Sequence, residues 1–171
     1  MDNFDLKKYL SEGKLLNELL NESEKIDVYR GENSGYYGSK VNNGFLWVSN
    51  DIEYAKEFSN NVVTYQINKP LKVFTYPYSM NQSITDEQFM KKLDQATIKF
   101  GKDGGLNRDL FIKLKKLSEK IQNNLNGRQS SFQNKLNNPK VSNLISQYLK
   151  LLRYEAVKVV EDGVINYGLL K

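Results

Sequence analysis

Hydrophobic spacing divides the chain into a helical start, a strand-rich segment, a helical block and a strand-rich end. Over residues 1–22 apolar side chains recur every three or four positions, which predicts an N-terminal helix. Ser49 or Asn50 is expected to cap a short helix at 51–59, because such side chains accept hydrogen bonds from a helix's first turn. Alternating or compact apolar runs predict four early strands, at 26–30, 45–49, 62–67 and 71–76.

The helical block, residues 80–152, has a different period. Thr85 and Gln88 have the spacing of a capping box and open the first of three amphipathic stripes. The Asn-, Gln- and Ser-rich stretch 122–137 predicts a loop or a polar helix end. Asn138-Pro139 then predicts the start of the third helix.

Two strands, 154–160 and 164–170, are expected to end the chain, with Glu161 and Gly163 in the tight turn between them. The pattern therefore predicts a single α+β domain with about six strands. Its expected parts are an N-terminal helix at 1–22, a sheet core at 26–76 and 153–171, and a helical insertion at 80–152.

The composition removes several classes of chemistry. The 171 residues, enough for one domain, include no Cys and no His. This excludes disulfides, Ser-His-Asp triads and metal sites built on His or Cys, and we expect no metal. A net charge of +5 permits an anionic partner, although the charges are interspersed. Because no apolar run approaches 18 residues, we expect no membrane partner.

Two charged residues near strand ends are candidates for ligand chemistry. Arg30 follows Tyr29 at the end of a strand, and Gly31 behind it lets a ligand approach the backbone. Glu155 opens a late strand, where its carboxylate can accept a hydrogen bond from a sugar or stabilise positive charge. A strand-end salt bridge and a cross-strand ion pair explain the same residues without a ligand. Glu161 is the weaker carboxylate candidate because we expect it in a turn.

Aromatic residues near the first two strands can form the wall of a ring-binding site. Trp47 precedes Ser49, whose hydroxyl is expected at a helix start, and Tyr54 and Phe58 lie on that helix. The alternative is an N-cap and ordinary core packing. The glycine-rich loop 31–43 carries two further candidates, Tyr36 and Tyr37, which we expect to order over a ligand.

Taken in chain order, Arg30, Ser49 and Glu155 resemble the Arg-Ser-Glu arrangement of ADP-ribosyltransferases. The stretch FLWVSNDIEYAKEFSNNVVTYQI also looks like the strand-helix-strand unit of that fold. Within that family the sequence most resembles the small phage-encoded and toxin-like members, which include an anti-CRISPR enzyme. The resemblance covers 26–76 and 153–170, and Trp47 and Val48 stand where the family often has Ser and Thr.

The resemblance implies a split β-sheet and a glycosyl transfer in which NAD is cleaved and ADP-ribose passes to a host macromolecule, with a protein expected as acceptor. It implies that Arg30 holds the NAD phosphates and nicotinamide ribose, and that Ser49 positions that ribose and the catalytic Glu. Glu155 would stabilise the oxocarbenium-like centre. An effector of this kind acts in the cytoplasm of the host cell. Arg153 stands where many toxins have the Gln or Glu that selects the acceptor, so the acceptor stays open.

Other kinds of function stay open from the sequence alone. One is a non-enzymatic interaction protein, such as a phage inhibitor that uses the helical block 80–150. Another is a nucleic-acid-binding module that uses basic residues of the block, since Lys113, Lys116 and Lys120 lie on one helix face. The same lysines also fit an ordinary solvated surface. The block itself either recognises a target or only completes the core.

Overall fold

The computed structural model describes residues 25–32, 44–68, 71–79, 81–125, 127, 129–161 and 163–170. The predicted helix at 1–22 and the candidates Tyr36 and Tyr37 lie outside these residues. The described part contains eight strands and five helices. The strands are β1 (Lys25–Gly31), β2 (Phe45–Ser49), β3 (Val62–Asn68), β4 (Val73–Thr75), β5 (Ser83–Ile84), β6 (Ser130–Ser131), β7 (Ala156–Glu161) and β8 (Val164–Leu170). The helices are α1 (Ile52–Phe58), α2 (Asp86–Lys102), α3 (Arg108–Asn124), α4 (Phe132–Asn137) and α5 (Pro139–Leu151).

Six strands form one mixed sheet in the order β3-β1-β2-β8-β7-β4. All neighbours are antiparallel except β4 and β7, which run parallel. The strands come from both ends of the described chain and the helical block comes from the middle, so the α+β prediction is confirmed. β5 and β6 form a separate two-stranded ladder inside the block, which the sequence pattern did not predict.

The two faces of the sheet bury different cores. The first face carries Phe45, Val157 and Val159, and it packs under the helical block in the larger core. The second face carries Val28, Val48 and Ile67 in a smaller core. Because side chains alternate along a strand, β2 contributes to both cores, which is why its apolar positions are nearly continuous.

Local signals placed most of the helices correctly. Thr85 and Gln88 form the predicted capping box of α2, and Asn138 with Pro139 opens α5. The prediction of a loop or a polar helix end at 122–137 is wrong in part: α3 does end at Asn124, but a further helix, α4, forms at Phe132–Asn137. α4 forms because Phe132 and Leu136 are buried and Lys135, almost fully buried, pairs with Asp86 at the start of α2.

An aromatic cluster lies at the centre of the larger core. The ring of Tyr76 contacts those of Phe74, Phe89 and Phe132 at centroid distances of 4.4–5.5 Å. Its hydroxyl is buried and has no hydrogen-bond partner among the described residues. An unpaired buried hydroxyl lowers stability because it has lost its bonds to water.

We therefore expect Tyr76→Phe to raise the free energy of unfolding by about 1 kcal/mol, since it removes the unpaired hydroxyl and keeps the ring. Urea unfolding followed by circular dichroism measures the change. Tyr148→Phe is the matched control, because the Tyr148 hydroxyl is bonded to Thr97 at 2.6 Å and its removal should lower stability. A destabilised Tyr76→Phe variant would show that the hydroxyl has a partner after all.

Candidate functional site

The pairing between β1 and β2 is short. β1 pairs with β3 along seven residues, but it pairs with β2 only at Tyr29 and Ser49. Arg30 comes directly after this pair, and its guanidinium donates a hydrogen bond to the carbonyl oxygen of Trp47 at 3.2 Å. We call the place where Arg30-Gly31 of β1 lies beside β2 without strand pairing the split.

Arg30 and Ser49 lie on adjacent strands beside the split. Ser49 is opposite Tyr29 and so shares its face of the sheet, whereas Arg30 leaves the strand on the other face. The Arg30 side chain nevertheless reaches β2 through its bond to Trp47. The structure therefore brings two of the three predicted catalytic residues to neighbouring strands, where the Arg30 guanidinium donates to the backbone of β2.

Ser49 is buried, and its role at the helix start differs from the prediction. The N-cap of α1 is Asp51, whose carboxylate accepts hydrogen bonds from the backbone N–H groups of Glu53 and Tyr54. The Ser49 hydroxyl accepts one from the Asp51 N–H at 3.1 Å. A carboxylate is as good a cap as Ser or Asn, so the sequence pattern could not rank them. Ser49 thus supports the cap and lines the sheet below it.

Glu155 does not converge with Arg30 and Ser49. Ser49 of β2, Asn166 of β8 and Val159 of β7 lie side by side across the sheet. Glu155 lies four residues before Val159 along the chain. Four extended residues span about 13 Å, in addition to the two strand spacings that separate β2 from β7. The exposed Glu155 carboxylate accepts a hydrogen bond from the backbone N–H of Lys72 at 2.9 Å, which ties β7 to the start of β4. The predicted meeting of all three catalytic residues is therefore wrong.

The carboxylate at the Ser49 end of the sheet is Glu161, and it belongs to β7 rather than to the turn. It accepts hydrogen bonds from the hydroxyl of Tyr54 at 2.7 Å and from the side-chain amide of Asn81 at 3.3 Å. The side chain of Asn166 lies near the Tyr54 hydroxyl and lowers its pKa. We call Tyr54, Asn81, Glu161 and Asn166 the polar cluster; it joins α1 to β7 and β8.

The electrostatics of the polar cluster keep Tyr54 protonated. Burial raises the pKa of the Tyr54 hydroxyl, and the hydrogen bond and negative charge of Glu161 raise that pKa further. The phenol is therefore a hydrogen-bond donor to Glu161 at neutral pH. It fixes one carboxylate oxygen, while Asn81 holds the other.

This raised pKa predicts a stability change in alkali. The folded protein holds the Tyr54 proton more tightly than the unfolded chain, whose tyrosines titrate near pH 10. The free energy of unfolding should therefore fall as pH rises above about 10. In Tyr54→Phe this contribution is lost, while Tyr76 and Tyr148, whose pKa values burial also raises, keep theirs. Urea unfolding on both sides of that pH should give a smaller loss for the variant; an equal loss would contradict the assignment.

The other predicted ligand residues have clear packing roles. The ring of Trp47 is half-buried and covers Gly168 of β8, while Tyr54 and Phe58 meet edge to face at 5.1 Å. A Cβ on Gly31 would lie 2.5 Å from the carbonyl oxygen of Ala55, so Gly31 admits the backbone of α1 rather than a ligand on that side. Phe58 remains 54% exposed at the end of α1.

Further negative findings concern the described residues alone. No three Asp, Glu, His or Cys side chains cluster there as metal ligands would. In the same ranges no helix has the length and apolar character needed to cross a bilayer. Lys113, Lys116 and Lys120 are exposed along α3, as the stripe pattern predicted. Comparison of the chain with protein-family models, curated proteins and solved structures gave no match.

Proposed function

We propose that this protein is a mono-ADP-ribosyltransferase that binds NAD at the split and transfers ADP-ribose to a host protein. The observation that carries the proposal is the single residue pair between β1 and β2. It leaves Arg30 and Ser49 beside the split, and the half-buried Glu161 of the polar cluster lies two residues along β7 from the row of Ser49. This arrangement supports the resemblance to ADP-ribosyltransferases, with Glu161 rather than Glu155 as the carboxylate.

The residues around the split suit a dinucleotide. The Arg30 guanidinium is a rigid fork of N–H donors that matches phosphate oxygens, and one of its acceptors is the neutral carbonyl of Trp47. Trp47 and Tyr54 offer half-buried rings against which a planar base can stack. We assign Arg30 to the pyrophosphate and these two rings to the wall of the site.

The reaction needs a negative charge close to the ribose carbon C1. The bond between ribose C1 and the nicotinamide nitrogen breaks, its electron pair leaves with nicotinamide, and C1 becomes positively charged before the acceptor atom bonds to it and releases a proton. A fixed carboxylate stabilises such a charge without having to reorganise. We assign this role to Glu161, because Tyr54 and Asn81 already hold both of its oxygens. Along the chain, Glu161 lies two residues from the row of Ser49, whereas Glu155 lies four residues from it.

A second candidate function is supported by Asn166. Asn166 is buried directly opposite Ser49. If Ser49 positioned a catalytic carboxylate, that carboxylate would be expected at the place that Asn166 occupies. An amide there binds polar groups but carries no charge. This favours a protein that binds NAD or a similar nucleotide at the split without cleaving it; the sequence also left a non-enzymatic function open, but for the helical block.

The experiment that separates the candidates uses NAD labelled on both the nicotinamide and the adenosine. The transferase releases nicotinamide and, in a host lysate, leaves the adenosine label on protein. A binding module gives a dissociation constant by calorimetry but no release. Arg30→Ala should lower NAD affinity in a binding module and nicotinamide release in a transferase. Arg108→Ala, at the exposed start of α3, is the matched control. Neither binding nor release by the wild-type protein would refute both candidates.

A further inference from the structure

β3 forms one edge of the six-stranded sheet. Its inner side pairs with β1 along all seven residues, and within the described ranges no strand pairs with its outer side. An edge strand presents backbone N–H and C=O groups that can pair with another strand. The strand at the opposite edge, β4, has only three residues and so offers fewer unpaired backbone groups.

The sequence of β3 lacks the features that usually protect an edge. Proteins blunt exposed edges with charged residues, proline, bulges or very short strands. β3 reads VVTYQIN, with no charge and no proline, and its register with β1 runs without a bulge. Its apolar residues are β-branched or aromatic, the types that favour strand pairing. The edge is thus well suited to accept one more strand.

The strand is also complementary to itself. If two copies pair antiparallel around Tyr65, Val63 meets Ile67 of the second copy and Thr64 meets Gln66 of the second copy. Apolar residues then face apolar residues on the second face of the sheet; on the first face Thr64 faces Gln66, and the outermost pair joins Val62 to Asn68. No like charges oppose each other, and the contact has the two-fold symmetry typical of protein dimers.

The smaller core supports the same arrangement. Ile67 is buried in that core and Tyr65 packs against it, on the second face of the sheet. Tyr65 is held there by its hydroxyl, which donates to the Glu32 carboxylate at 2.8 Å. Pairing through β3 would place the two smaller cores side by side, so that apolar packing adds to the backbone hydrogen bonds. We propose that two copies of this chain dimerise through β3, joining their sheets into one continuous sheet.

The test measures the mass of the intact protein in solution by analytical ultracentrifugation, at concentrations up to about 200 µM because a contact of this size binds weakly. The wild type should be dimeric at the top of this range. T64K/Q66K places two lysines opposite each other in the proposed register and should give a monomer. T64K/Q66E places opposite charges there and should restore the dimer. T75K/S83K adds the same charge at exposed positions on β4 and β5 and should remain dimeric.

Several results would overturn the proposal. A monomeric wild type would show that β3 has no second copy as its partner. A T64K/Q66K variant that remains dimeric would place the dimer contact elsewhere. If T64K/Q66K is monomeric but T64K/Q66E fails to restore the dimer, the register around Tyr65 is wrong. Circular dichroism of every variant confirms that a monomer is folded.

Discussion

Glu161→Gln should lower the rate of nicotinamide release from NAD by about 100-fold, because it removes the charge that stabilises the developing cation and keeps the shape of the side chain. Glu155→Gln should change the rate by less than about two-fold, because that carboxylate lies at the other end of the strands and only accepts a backbone hydrogen bond from Lys72. The two variants remove the same charge by the same change. Single-turnover measurements with saturating NAD compare them directly.

The opposite result would be equally clear. A loss of activity in Glu155→Gln with normal activity in Glu161→Gln would restore the arrangement expected from the sequence and contradict the observed register of β7 and β8. Binding of NAD should be retained in Glu161→Gln, since Arg30 and the aromatic wall are unchanged. A variant that loses binding as well would show that Glu161 has a structural role.

Gly31→Ala should lower the free energy of unfolding by about 3 kcal/mol, because the new Cβ would lie 2.5 Å from the Ala55 carbonyl oxygen and 2.9 Å from the Ser59 backbone nitrogen. Both are backbone atoms of α1 and its C-cap, so relief requires the helix to move. Gly101→Ala is the matched control, since its Cβ would make ordinary contacts at 3.4 Å and α2 gains helix propensity. Urea unfolding of both variants measures the difference.

The same substitution links the fold to the proposed site. α1 carries Tyr54, so a displaced helix should disturb the bond between Tyr54 and Glu161. We expect Gly31→Ala to lose NAD turnover along with stability, whereas Gly101→Ala keeps both. Equal stability of the two variants would show that α1 does not pack tightly on β1.

Local sequence signals were sufficient for most of the fold. β1, β2 and β3 followed from alternating residues, and α2 and α5 followed from capping residues and stripes, because those interactions involve neighbours along the chain. α4 was missed because its stability depends on a tertiary ion pair between Lys135 and Asp86 within a stretch of polar composition. No local pattern contains that information.

The candidate site could be predicted only in part. Arg30 and Ser49 were found because each lies at a strand end next to glycine or a helix start. The choice between Glu155 and Glu161 depended on where the β7–β8 hairpin pairs with β2, and a shift of a few residues in that register exchanges the two carboxylates. Expecting Glu161 in the turn placed the boundary of β7 one residue too early. Tyr54 and Asn81, which hold Glu161, are distant from it in sequence.

We propose that NAD binds at the split, with Glu161 at the reacting end. Amide hydrogen exchange of Glu161→Gln with and without NAD, read by mass spectrometry, tests it most directly because the variant holds NAD without consuming it. We predict slower exchange in peptides that contain Arg30, in β2 with the start of α1, and around residue 161. Unchanged exchange there, or slower exchange confined to Lys72 and Glu155 at the far end of the sheet, would contradict the claim.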